Sequence, residues 1–420
     1  MNRKKKLFFK EKIPKDQIRR DFLVIIFISS FITSIFFYFS FLDDFQVISS
    51  NIPPVYITCG EEINKYDYVD CIIDSEYESI YAKIKIRGET NANRFKKGYR
   101  IILSEEKSMF GMEMDNDWLL MSMYRDISCL RTRLSFELWR SLQPTNPTAI
   151  LIDSRYVRLY LNQKFQGLYL LAEKNDRSLF GLKDAQNSVK SSLIFQAKTI
   201  TNFRGDYLNN WDQDWPNEED GIYIKDEILT DLFNFVNNSD DNEFFDLKTG
   251  IYSKFDKLNL IDFFIFNFFI LHEDFWHTNY FIIRDTYPSK FFLIPWDFDG
   301  SFCRLGRTQY DSDQNPELVI RERNELFNRL MDNENFRQDC NNRWKYLREE
   351  LWTEEYILGM LSDFYEEIKD ILEIEIKMWK PKITRDKDFN VYDFVKGLSQ
   401  LIIERLEFCD TYFEAHIGIK

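Results

Sequence analysis

From Val55 onward, apolar and polar positions alternate in short runs. VYITC, YVDCIID, IYAKIKIRG and YRIILSE are separated by turns rich in Gly, Asn, Asp and Lys. A period of two points every second side chain to the same face, so these runs predict an antiparallel sheet. Between Asp126 and Leu142, in DISCLRTRLSFELWRSL, the period becomes that of a helix, with Asp126 placed to act as its N-cap. RYVRLYLN and GLYLLAEK then flank a turn within Asn162 to Gly167 and predict a β-hairpin. The stretch 182–231 is polar, with NNWDQDWPNEEDG at its centre, and reads as an irregular insertion holding one strand at SLIFQAK. Helical periodicity returns over Ile251 to Leu271, Asn324 to Glu350 and Val391 to Phe413. The pattern predicts an α+β protein, with a strand-rich first half and a helical second half.

Ahead of Val55 the pattern differs. Phe22 to Leu42 holds 21 residues without a charged side chain, which at helical rise spans a hydrocarbon core of about 30 Å. This predicts a transmembrane helix at 22–42, with a basic segment at 1–21 and a linker at 43–54. The run is longer than a signal-peptide core, and no small-x-small cleavage site follows it. Nine basic against three acidic residues give the first segment a charge of +6, and the chain total of −14 then leaves −20 for everything after the helix. The basic flank stays cytoplasmic by the positive-inside rule, which makes this a single-pass type II membrane protein with its large domain outside the cytoplasm. So acidic a domain repels phosphate backbones, and nucleic acid is excluded as a general partner.

The 420 residues are 44% hydrophobic and 17% aromatic, enough to bury a large core and far from a disordered composition. Six cysteines follow the apolar run. Their even number in an exported domain permits disulfides, Cys59 and Cys71 being close enough to lie across a hairpin, and equally permits buried free thiols. No C-x-x-C or Cys/His pairing points to zinc.

Two of the three histidines fall in ILHEDFWHTNYFIIRD, where His272, Asp274 and Asn279 have the spacing H-x-D-x4-N. In protein kinases that spacing presents an Asp to the substrate hydroxyl and an Asn to a phosphate-bound metal. Eighteen residues beyond Asn279, the strand-like FFLIP ends in Trp296-Asp297-Phe298-Asp299-Gly300. Asp297 before Phe resembles the metal-gripping Asp-Phe-Gly of kinases, with Asp299 as a second ligand. Oxygen donors from Asn279, Asp297 and Asp299 suit a hard cation, and Asp274 is left as base. Zinc hydrolysis is disfavoured, because His272 and His277 are five apart rather than the four that bring both onto one helical face. A glycoside hydrolase built on two of Asp274, Asp297 and Asp299 remains a rival.

These windows, with IPWDFDGSF, resemble the central signature of the CotH kinase family, known from bacterial spore coats and fungal surface proteins. IKIRGETNANRFKKGYRIIL, RDISCLRTRLSFELW and RLYLNQKFQGLYLLAEKND resemble further blocks of that family in the same order, covering about Val55 to Arg304, and RLMDNENFRQDCNNRWKYLREEL is similar to its helical tail. The resemblance implies a divergent two-lobed kinase-like domain over 55–420, with an N-lobe at about 55–181, the insertion at 182–231 and a C-lobe at 232–420. It implies ATP with Mg²⁺ or Mn²⁺, transfer to Ser or Thr of a protein substrate, Asp274 as the catalytic Asp, and Asn279 and Asp297 as metal ligands. A cation for the phosphates is expected among Arg87, Lys96, Lys97 and Arg100. Glu137 is a candidate partner for that cation, and Glu173 is a further site candidate. The sequence has no G-x-G-x-x-G loop, so ATP phosphates would be held differently from those in ordinary protein kinases, and it departs from the family in Glu89 in place of Asn and Cys303 in place of Gly. The alternative to a kinase is a non-catalytic surface adhesin or scaffold on the same fold.

Overall fold

Alternation in the first strands builds a barrel. In β1 (Pro54–Cys59), β2 (Val69–Asp74) and β3 (Ser79–Ile86) every second side chain is buried: Val55, Ile57 and Cys59; Val69, Cys71 and Ile73; Ile80, Ala82 and Ile84. With β4 (Tyr99–Ser108), β5 (Met114–Met121), β6 (Ser154–Leu161) and β7 (Lys164–Ala172) they close in the order β1-β2-β3-β4-β5-β7-β6. Parallel pairing of β6 on β1, with Val55 opposite Leu159, completes the ring. Closure leaves no open edge to pair with another chain. The inward side chains join Trp118, Leu120, Val157, Tyr169 and Leu171 in one core.

This computed structural model describes residues 50–74, 78–88, 93–218, 221–302, 304–305, 308–309, 311–383 and 391–415, which belong to one unit beginning at Ser50. The segment expected to cross a membrane, Phe22 to Leu42, lies outside the described residues, as do Glu89 and Cys303. Among the described residues no helix is long and apolar enough to cross a membrane. The five described cysteines are buried free thiols, and Cys59 faces Cys71 across the β1–β2 ladder.

The β6–β7 turn is made by Asn162 and Gln163, both with left-handed backbone (φ 46° and 67°), as the twist of a two-residue hairpin demands. The polar stretch after β7 is more regular than its composition predicts. β8 (Leu193–Ala197) sits inside a second sheet between β9 (Trp211–Trp215), made from the polar WDQDW, and β10 (Tyr280–Arg284), with β11 (Phe292–Pro295) beyond β10. Buried Gln213 is tolerated there because its amide donates to the carbonyls of Pro216 and Ile222 and accepts from the N–H groups of Ile224 and Lys225.

Polar caps set the helix limits. α1 (Arg131–Arg140) starts later than its periodicity predicts, because Asp126 caps it from the preceding loop, accepting from the N–H groups of Arg131 and Thr132 at 2.8 and 3.4 Å. α2 (Lys225–Asn238) packs beside the second sheet's connections. α3 (Lys257–Ile270) begins at Asp256, which accepts from the Asn259 N–H, and every residue from Asn259 to Ile270 is buried. A helix apolar on all sides becomes the centre of its layer. The run expected as one helix over 324–350 is broken at Asn333. Asn324 and Asn333 cap α5 (Glu325–Asp332) and α6 (Glu334–Tyr346), with α4 (Glu317–Arg323) ahead of them.

Two long helices follow, α7 (Glu354–Ile383) and α8 (Val391–Ala415). α7 returns to the barrel. Its buried Glu375 pairs with Lys96 Nζ at 2.5 Å and accepts from the Leu168 N–H at 2.7 Å, while Trp379 Nε1 donates to the Gln166 carbonyl at 3.1 Å. Gly167 (φ 108°) makes this contact possible, since a Cβ there would run into Glu375 Oε2.

Candidate active site

Backbone pairing brings the two acidic motifs together. α3 ends at Leu271 in a left-handed turn (φ 45°), and His272 then starts a short turn over Glu273–Trp276 by accepting the Asp274 N–H on Nδ1 at 3.2 Å. The Asp274 carbonyl accepts from the N–H groups of His277 and Thr278. The chain enters β10 (Tyr280–Arg284), which pairs antiparallel with β11 (Phe292–Pro295), Tyr280 opposite Pro295. One step beyond, the Trp296 N–H donates to the Asn279 carbonyl at 2.8 Å. The hairpin therefore sets Asn279 beside Trp296-Asp297. Both Asn279 (φ 60°) and Asp297 (φ 63°) adopt left-handed backbone, a conformation unusual enough for non-glycine residues to mark a constrained site.

The Asp297 turn is anchored from below. Phe298 is buried edge-on against Phe136 of α1 and Phe266 of α3, with ring centroids 5.1 and 5.8 Å apart, and the hydroxyls of Ser301 and Ser135 lie 3.0 Å apart. His272 stands between the two acidic turns. A Cβ on Gly300 would lie 3.0 Å from its Nε2, a contact tight enough that the imidazole or the turn would have to give by a few tenths of an ångström. Burial lowers the His272 pKa to about 4 against the opposing influence of Asp297, and the ring is neutral at physiological pH.

Electrostatics report the convergence directly. Burial, and then the charge of Asp297, raise the Asp299 carboxyl well above the usual carboxylate range; Asp126 and Asp274 push the same way and Arg125 opposes them. Asp274, Asp297 and Asp299 thus share one locus. Arg87 reaches the same place from the barrel: its guanidinium lies 5.8 Å from the Trp296 ring centroid, burial lowers its pKa, Asp297 raises it and Arg100 lowers it.

The remaining sequence candidates lie elsewhere. Lys96 is held in the buried pair with Glu375, 4.5 Å above the Tyr169 ring. Arg100 makes a two-pronged pair with Asp117, which Lys174 also approaches at 3.4 Å. The Lys97 carbonyl accepts from the Tyr169 hydroxyl. Glu137 lies between Arg133 and Arg140 on α1, at 3.1 and 3.6 Å. Glu173 staples the barrel by accepting from the N–H groups of Glu113 and Asp153. The carboxylates that pair with these candidate cations are Glu375, far along the chain, for Lys96 and Asp117 for Arg100. Sequence reasoning also passed over Arg125, whose Nε lies 4.0 Å from Asp299 Oδ2. Its signal there is that it opens the family-like block RDISCLRTRLSFELW, next to the helix-capping Asp126.

The donor set fits a hard divalent ion. Carboxylates gather where one carboxyl is already crowded by its neighbours' charge, with Asn279 set beside Asp297 by the hairpin, and a dication relieves that crowding. Among the described residues no three His, Cys, Asp or Glu side chains close around a metal by themselves.

The fold and site define an α+β protein with a carboxylate-rich, cation-rimmed centre between a barrel and a helical layer. The chain belongs to the CotH kinase protein family, whose sequence model matches residues 84–408. It is similar to the inner spore coat protein H of Bacillus subtilis (strain 168), with 22% identity over 356 residues that cover 81% of this chain and 91% of that protein. Two structures of the Golgi casein kinase, one with Mn/ADP bound, align over 87% of this chain and 75% of theirs at 11% identity, with TM-scores of 0.25 and 0.28. Superpositions that loose do not establish a shared fold.

Proposed function

We propose that this chain is an atypical protein kinase that moves the γ-phosphoryl group of ATP onto a Ser or Thr hydroxyl of a surface or coat protein. The supporting observation is the β10–β11 pairing that sets Asn279 beside Asp297, together with the shared electrostatics of Asp274, Asp297 and Asp299. Asp274 accepts the hydroxyl proton, and its turn, fixed by His272, aims it. Asn279, Asp297 and Asp299 hold Mg²⁺ or Mn²⁺, which when bound supplies charge neutralisation on the transferred phosphate. Arg87 adds a fixed positive charge beside Asp297. The barrel at about 55–181 forms one lobe and residues 232–420 the other, with 182–231 between them. Phe22 to Leu42 anchors the protein as a type II membrane protein.

The rival reading is a non-catalytic surface adhesin or scaffold on the same fold, motivated by the scarcity of ATP on the outer side of a membrane, where the type II reading puts the domain. Incubating the full chain in detergent with γ-labelled ATP and Mg²⁺ or Mn²⁺ separates the two. The kinase reading predicts label on Ser or Thr of the chain itself or of an acceptor, lost in Asp297→Ala. Absence of transfer with either metal, together with unaltered partner capture by Asp297→Ala, supports the scaffold.

A further inference from the structure

Arg125 lies in the loop between β5 and α1. Its backbone is held in place by Asp126, whose carboxylate is buried among the N–H groups of Arg131 and Thr132 and the Ser128 hydroxyl. Its side chain is not confined: it is 38% exposed, its Nε is 4.0 Å from Asp299 Oδ2, and Asp299 is itself 21% exposed. A pair that open exchanges partners at little cost. The other cations differ. Lys96 is buried against Glu375, Arg100 is clamped by Asp117, and Arg87 is packed on Trp296. Next to Arg125, the Tyr124 ring carries the guanidinium of Arg94 at 5.3 Å, so the chain entering β4 presents a further positive group to this loop. The surroundings of the carboxylates are therefore basic, and Arg125 is paired side chain to side chain with a proposed metal ligand, Asp299.

We propose that Arg125 neutralises Asp299 until the divalent ion arrives, and then turns to a phosphate of the incoming nucleotide. The inference rests on the reading of this centre as a metal–nucleotide site and adds to it a residue with two successive partners. A counter-ion on a metal ligand competes with the metal, whereas a contact to phosphate favours the nucleotide. Removing Arg125 therefore moves the two affinities in opposite directions, which general damage to the site does not do.

Titration calorimetry on the full chain in detergent reads both quantities without turnover, first with Mn²⁺ alone and then with ADP at saturating Mn²⁺. In Arg125→Ala the Mn²⁺ dissociation constant falls by about two- to fivefold, and that for ADP rises by about ten- to a hundredfold. Arg125→Lys, which keeps the charge, stays near wild type for Mn²⁺ and loses part of the ADP affinity. Mn²⁺ affinity that is unchanged or weakened in Arg125→Ala overturns the proposal while leaving the kinase reading intact. A wild-type chain that takes up neither Mn²⁺ nor ADP overturns both.

Discussion

At the scale of single residues, the two acidic turns meet through tight side-chain contacts. Gly300 and His272 are the clearest pair, because the imidazole that shapes the Asp274 turn also fills the space beside the Asp297 turn. Gly300→Ala pushes those turns apart while leaving the Phe298 anchor in the core. Phosphoryl transfer is expected to fall by about ten- to a hundredfold, as for displacements well below an ångström to an ångström in other active sites. Circular dichroism melting checks that the fold survives, and a variant with wild-type transfer would show that the two turns need no such register. The two local motifs, taken together with the order of the family-like blocks, mark Asp274, Asn279, Asp297 and Asp299 as candidates. Arg125 is not legible in the same way, because its relation to Asp299 exists only after α1 has docked under the Phe298 turn.

At the scale of elements, alternation made the barrel strands readable, while two features hid from it. β9 is built from WDQDW, whose buried Gln213 is paid for by four hydrogen bonds that composition does not reveal. The break at Asn333 hides because an asparagine cap does not interrupt the apolar stripe on either side of it. The Lys96–Glu375 pair is a long-range contact of a kind that no local pattern contains. It ties α7 to the barrel immediately before β4, and both ends are buried. Lys96→Met or Glu375→Leu alone strands a buried charge and is expected to cost about 3–5 kcal/mol. The double variant removes both charges and recovers most of that loss, which denaturant titration of the three proteins measures. A double variant as unstable as either single one would mean that the pair does not hold α7 in place. Gly167 belongs to the same joint, as its missing Cβ leaves room for the Glu375 carboxylate.

At the scale of the whole molecule, the strand-rich first half and helical second half match the order of apolar periods along the chain. Family membership extends over residues 84–408, so both halves belong to the matched region. The halves are joined by more than a covalent link: α7 packs on β7, and α1 carries the Asp297 turn, so the acidic centre is framed by strands and helices from both. This arrangement explains why the site could be named from sequence only in pieces. Its carboxylates come from a turn after α3 and a turn after β11, and its arginines come from the barrel and from the loop before α1.

The account stands on Asp274 acting in transfer rather than in folding or binding. The direct measurement is to compare Asp274→Asn with wild type in the full chain, recording the γ-phosphate transfer rate and, by calorimetry, the affinity for ADP with Mn²⁺. Transfer reduced by about 10²- to 10⁴-fold, with nucleotide affinity within a few-fold of wild type, is the predicted result. Transfer by Asp274→Asn at close to the wild-type rate would contradict it.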